Sequence, residues 1–178
     1  MAGTIYVMEG ANLFCGDHDP TASKHLTLEE LQLPSLTEMY QDHHPGGSRV
    51  QVEVAVGIQK LEPTFKLAGW DPDLLTQFGL NAQMQRVFTA YGVLRDKRTG
   101  AALEARAVMH GRLGSIEPEA FQRGENMGHD YAIREVFHYE VHIGGEERFY
   151  WDFWSNTVRQ GGVSQTADEN TILRIPNV

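Results

Sequence analysis

Apolar and polar residues alternate along most of this chain, the pattern of strands that bury one face. Val50, Val52, Val54, Val56 and Ile58 hold one phase, while Gln51, Glu53 and Lys60 sit on or beside the other. One long strand, buried on its valine side, is predicted there. Two further runs, Val87-Thr89-Tyr91-Val93 and Leu103-Ala105-Ala107-Met109, flank the turn-rich stretch Asp96 to Gly100 and predict a long hairpin. In a second hairpin Tyr131, Ile133, Phe137, Tyr139, Val141 and Ile143 share a phase, with Glu135 as its one charged member. Gly144-Gly145-Glu146 then returns the chain into Phe149, Trp151 and Phe153. Shorter strands are predicted over 36–41 and 64–68.

Helical signals are few. Asp71 stands as a cap before Pro72 at the first helical position, Asp73 sits in the first turn, and Gly79 is placed to end a helix of about two turns. Thr27 and Glu30 have capping-box spacing, which predicts a helical turn over 27–31 before Pro34. Residues 42–48, 117–130 and the tail from Thr157 onward read as loops. The tail is polar and glycine-containing around Gln160 to Gln165, yet ends in Ile172, Leu173 and Ile175, so its apolar end is expected to dock somewhere.

Composition narrows the function classes. With 178 residues, 41% of them hydrophobic, the chain suffices for one domain, taken as 1–178, with a filled core. Twenty-four acidic against fifteen basic residues give a net charge of −9, which disfavours an electrostatic grip on DNA phosphates or an anionic membrane. The single cysteine, Cys15, allows no internal disulfide and no thiolate zinc site, so the cytoplasm is the default compartment. No run approaches the roughly 20 apolar residues of a spanning helix, and no membrane anchor is expected.

Catalytic constellations are missing. No histidine pair has the helical His-Glu-x-x-His spacing, and no glycine-rich loop opens a helix after a strand to cradle phosphate. His138, Glu140 and His142 fall on one face of one strand and would hold a metal if a neighbouring strand added a ligand, although strand faces open to water routinely carry such polar rows. Asp17 and Asp19 flank His18 near Cys15 and work against a reactive thiolate. Neither a catalytic residue nor a metal site nor a cofactor is assigned. The row Phe149 to Trp154 puts aromatics on both faces of a strand, as when a core lies on one side and a partner on the other.

The order of segments resembles the major tail tube proteins of contractile-tailed bacteriophages. The residues that carry it are Ala11-Asn12-Leu13-Phe14, Leu33-Pro34-Ser35-Leu36, the glycine loop Pro45-Gly46-Gly47 before the valine strand, and Asp71-Pro72-Asp73-Leu74-Leu75 running to Phe78-Gly79. Val108-Met109-His110-Gly111-Arg112 is similar to a Val-Met-Arg-Gly-Arg strand of that family, and the C-terminal hairpin with 152–156 follows in order. Gly162-Val163-Ser164 departs from the family's Gly-Val-Asp, and the chain lacks its basic tail closing on Leu-Gly.

The resemblance implies a small antiparallel β-sandwich or partly open barrel with one short flanking helix. Six copies would form a ring, and stacked rings a tube lined by one continuous barrel. Interface candidates are Tyr40, Gln41, Asp42, His43, His44 and Arg49 around the inter-ring loop 40–48, and Ile172, Leu173 and Ile175 in the arm 157–178. Candidates for the lumen wall are Gln51, Glu53, Glu104, Arg106, Arg134, His138 and Glu140, the arginines fitting an acidic wall only when paired across strands. Six copies carry about −54, and such a wall lets DNA slide without sticking. Implied partners are the chain itself, the sheath, tape measure, baseplate and tail-terminator proteins, and passing genomic DNA. The expected location is the virion tail, after assembly in the host cytoplasm. A tailocin or other injection-system tube shares these mechanics, a small-ligand-binding β-barrel is the expectation from another class, and a metal enzyme built on His138, Glu140 and His142 is a third.

Overall fold

The structure is a computed structural model that describes residues 3–16, 18–79, 85–124 and 127–176. In chain order the elements are β1 (Tyr6–Cys15), β2 (Leu28–Gln32), β3 (Glu38–His43), β4 (Val52–Ile58), β5 (Thr64–Ala68), α1 (Pro72–Thr76), β6 (Arg86–Asp96), β7 (Ala102–Pro118), β8 (Gly128–Ile143), β9 (Glu146–Asp152), β10 (Thr157–Gln160), β11 (Val163–Ser164) and α2 (Ala167–Leu173). All strand pairings among them are antiparallel, as expected for the class.

Both long hairpins form where the alternation places them. Arg86 pairs with Gly111 and Arg95 with Ala102, and Asp96 closes the turn by accepting hydrogen bonds from the amides of Arg98 and Thr99. Gly144 and Gly145 take φ of +61° and +82°, which turns β8 into β9 at little steric cost. The main sheet runs β1-β6-β7-β8-β9-β10-β11. One face is apolar: Leu13, Cys15, Phe88, Ala90, Ala107, Met109, Tyr139 and Phe149 are buried on it.

The cover for that face comes from β7 and β8 themselves. Register shifts fall between His110 and Arg112 and between Leu113 and Ser115, and opposite the first of them Glu135 takes φ of +50°. Such bulges bend a strand and pass it from one layer to another. Beyond them β8 pairs with β5 over Thr64 to Ala68, and β5 with β2. Phe65 and Leu67 thereby meet Phe88 and Met109 in one core, with Phe65 stacked on Tyr131 at 4.9 Å. A Cβ on Gly111 would stand 2.8 Å from Ile133 Cγ2 and 2.9 Å from the Arg134 carbonyl, so the bulge is built around a residue with no side chain.

Several expectations need correction. The valine strand pairs only with β3, as a separate two-stranded sheet, and every residue of β4 is exposed. Its alternation therefore marks no core of the subunit, since Val52, Val54, Val56 and Ile58 stay 41–57% exposed. Residues 28–32 form a strand where the capping-box spacing of Thr27 and Glu30 led a helical turn to be expected, because their backbone pairs with β5 from Leu28 opposite Leu67 to Gln32 opposite Thr64. The tail is not a loop: β10 extends β9, Gly161 and Gly162 turn it into β11, and α2 follows behind an acidic first turn of Asp168 and Glu169. The strand expected at 36–41 lies at 38–43, and β7 runs to Pro118 into the expected loop 117–130. α1 begins as expected, with Asp71 Oδ1 accepting from the Leu74 amide at 3.1 Å, but spans only Pro72 to Thr76. Asp17 and the last two residues of the arm lie outside the described residues.

Candidate assembly surfaces

Three surfaces carry the residues singled out from sequence. The first is the β3–β4 hairpin. Tyr40, Gln41, Asp42 and His43 lie on β3, His44 and Arg49 lie in its connection to β4, and all six are exposed. Register sorts the hairpin by face: His43 lies opposite Val52 and Gln41 opposite Val54, while Asp42 lies opposite Glu53. Directly opposed residues share a face, so the valines stand with His43 and Gln41, and both carboxylates stand on the other side. Glu53 therefore belongs to this hairpin, and Gln51 precedes it.

The second surface is the arm. Asn170 is buried and anchors α2: its Nδ2 donates to the carbonyls of Ser155 at 3.2 Å and Asn156 at 3.1 Å, and its Oδ1 accepts from Asn156 Nδ2 at 2.8 Å. The apolar end does not dock among the described residues, since Ile172 is 79% and Leu173 64% exposed, while Ile175 is half-buried. Asn170 escaped the sequence reading, because nothing in its neighbourhood marks an asparagine as an anchor.

The third surface is the polar face of the main sheet. Arg106 lies opposite His142, His110 opposite His138, Glu140 opposite Tyr150, and Tyr150 opposite Arg159. Glu104, Arg106, His138 and Glu140 thus share one face. Arg134 lies beyond the bulge, in an ion pair with Glu62. Arg106 reaches across to Glu140 at 3.9 Å, and Arg159 holds Glu147 with two bonds of 3.0 and 2.8 Å while its guanidinium lies 3.5 Å over the Tyr150 ring. The Arg159 bonds hold the Glu147 carboxyl below its ordinary range. Burial, and then the charge of neighbouring His138 at 4.4 Å between rings, keep the His110 imidazole below its usual value.

Metal and thiol chemistry lack a geometry here. His138 and His142 approach the same Glu140 oxygen at 3.9 and 3.5 Å, but strand spacing sets their Cα atoms about 13 Å apart, one on either side of it. Among the described residues no three potential ligands converge. Burial pushes the Cys15 thiol up to about 12, so it stays protonated at neutral pH. A ligand barrel would enclose a cavity, whereas here the core is filled by Leu13, Leu67, Phe88, Met109 and Ile133. A hollow of about 810 Å³ is a groove open at the surface between Gly57–Glu62 and the side chains of Phe137, Trp151 and Phe153.

The core is filled, and the apolar side of the β3–β4 hairpin and the apolar end of the arm stand uncovered among the described residues. The chain belongs to the phage tail tube protein FII family, whose model matches residues 9–173. It is a structural protein of the tail tube. No curated protein sequence matches it. Among solved structures, a chain from the anti-feeding prophage (AFP) baseplate is similar at a TM-score of 0.53 and 11% identity, covering 80% of this chain and 94% of that one. A chain from the PVC extracellular contractile injection system, sheath/tube terminator in the extended state, aligns at 0.51 and 10%, covering 76% and 93%. One from the PVC sheath-tube complex aligns at 0.51 and 10%, covering 71% and 86%. At these identities the likeness is one of fold.

Proposed function

We propose that the chain polymerises as stacked hexameric rings to form the inner tube of a contractile phage tail, the conduit for DNA ejection. The observation that carries this is the tail tube family match over nearly the whole chain, and the fold shared with chains of contractile injection systems supports the contractile setting. Ring closure uses the sheet edges: β1 and β11 end the strand order, and the outer half of β1 is exposed at Tyr6, Val7 and Met8, an aggregation hazard in a monomer and a joint in a ring. The loop 40–48 and the arm 157–178 make contacts between subunits and rings of the single domain. The polar face bearing Glu104, Arg106, His138 and Glu140 lines the lumen. Sheath, tape measure, baseplate and tail-terminator proteins are the partners, and the tube resides in the virion tail after assembly in the host cytoplasm.

Negative-stain electron microscopy over a range of protein and salt concentrations tests this. Hollow tubes or rings with six-fold averages are expected. Particles that stay near 20 kDa at every concentration, with a baseplate nucleus supplied, would overturn it.

A further inference from the structure

Two apolar features of this chain have no cover among the described residues, and their charges complement one another. β4 extends about 23 Å as half of a two-stranded ribbon, and such a ribbon is marginal in water without a third strand or a packed face. The part of its valine face that bears Val52 and Val54 carries no carboxylate, since Asp42 and Glu53 share the opposite one and Glu38 lies opposite Ile58, beyond the register shift. Arg49, which enters the valine run, has no ion-pair partner among the described residues. In α2, Asp168 and Glu169 stand one turn before the exposed Ile172 and Leu173, at the i, i+4 spacing that stacks side chains on one helix surface. Neither carboxylate has an ion-pair partner among the described residues. Asn170 holds the other side of the helix to the sheet.

Resting on the tube reading, we infer that the valine face of β4 in one subunit receives α2 of a second copy, with Ile172 and Leu173 on Val50, Val52 and Val54, and Arg49 against Asp168 and Glu169. Hairpin against hairpin is disfavoured, because it brings Arg49 and His43 of each copy towards each other and closes a two-fold dimer that cannot propagate. The open groove beside Phe137, Trp151 and Phe153 is the other seat for the arm. Its lining sets Lys60 and Arg134, both paired to Glu62, against two carboxylates, Glu62 and Glu135, so it offers Asp168 and Glu169 no net positive charge. The hairpin–arm contact joins two different patches, so each subunit keeps one of each to offer and the contact repeats without end.

The test uses the full chain carrying Val52→Cys and Ile172→Cys, oxidised under assembling conditions and run on a non-reducing gel. Cys15 is buried and stays silent. A ladder of multimers is expected, absent from either single variant. Arg49→Glu is expected to raise the concentration needed for assembly roughly tenfold, and Arg49→Glu with Glu169→Arg to return it to within about threefold of wild type. Circular dichroism verifies that the exposed substitutions leave the fold intact. Tubes from the double-cysteine chain without a ladder, or no rescue by the charge exchange, would overturn the contact and leave the tube reading standing. A wild-type chain that never polymerises would overturn both.

Discussion

Val54→Asp separates two accounts of the valine strand. Were β4 buried in the subunit, as its alternation alone suggests, an unpaired carboxylate there would unfold the protein. In the structure Val54 is 48% exposed on a hairpin that stands apart from the main sheet. The substitution then behaves as a surface change with some loss of strand propensity, worth at most about 1 kcal/mol, or about 2–4 °C in melting temperature for a chain of this size. Assembly is where the cost falls. Fully burying a valine is worth about 1.5–3 kcal/mol, so covering the exposed half contributes about 1 kcal/mol, which aspartate forgoes. Desolvating the carboxylate against an apolar partner adds several kcal/mol. A total above about 3 kcal/mol raises the concentration for assembly more than a hundredfold. Thermal melts of the dilute subunit and pelleting over a concentration series measure the two quantities. A variant that fails to fold, or one that assembles like wild type, would refute the reasoning.

Gly111→Ala is expected to cost about 1–3 kcal/mol, because its Cβ meets the Arg134 backbone, and an unchanged melt would show that the bulge yields. Asn170→Ala strands the Ser155 and Asn156 carbonyls, costs about 1–3 kcal/mol locally, and should raise hydrogen exchange in 167–173 while leaving the core protected; equal protection in both proteins would deny the anchor. The folded-state pKa of His110 is lowered, so the unfolded chain takes up its proton first, and stability present above the ordinary histidine pKa is lost as pH falls through the folded value. Lowering the pH from about 7.5 to 5.5 should therefore reduce the melting temperature, and His110→Gln should flatten that dependence; a melting temperature that rises on acidification would reverse the sign.

Legibility followed burial. The two long hairpins show in the sequence because one face of each strand packs on a core within the subunit, so alternation, turn glycines and pairing agree. The same signal misleads at Val52 to Ile58, where it is written by a surface with no partner in the chain: alternation reports that a face will be covered, not by which molecule. Over 28–32 the capping-box spacing of Thr27 and Glu30 outweighed a strand that only its pairing with β5 reveals. β1 went unread because its outer half is exposed on both faces and so repeats no apolar period. α2 carried legible signals in Asp168 and Glu169, outweighed by the glycines before it. Of the residues assigned to the lumen wall, Glu104, Arg106, His138 and Glu140 fell on one face because strand phase alone decides that, whereas Arg134 was carried away by a bulge that strand phase alone does not reveal.

The polar face also has a charge logic that the net charge of −9 does not convey. On the lumen reading proposed above, this face must offer a passing polyanion no unpaired cation, because each free arginine or lysine would hold a phosphate by displacing its counterions. Arg106 and Arg159 both stand on this face, and both are turned inward on carboxylates, with Arg159 gripped by two bonds from Glu147 and seated on Tyr150. Glu104, Glu140, Glu147 and Asp152 outnumber them on the same surface, so the residual field is negative once the pairs are discounted. Arg106, which fits an acidic wall only when paired, is thus tied across strands to Glu140, and Arg159 is tied to Glu147 in the same way. They hold β7 to β8 and β9 to β10 without presenting a free charge to whatever moves past.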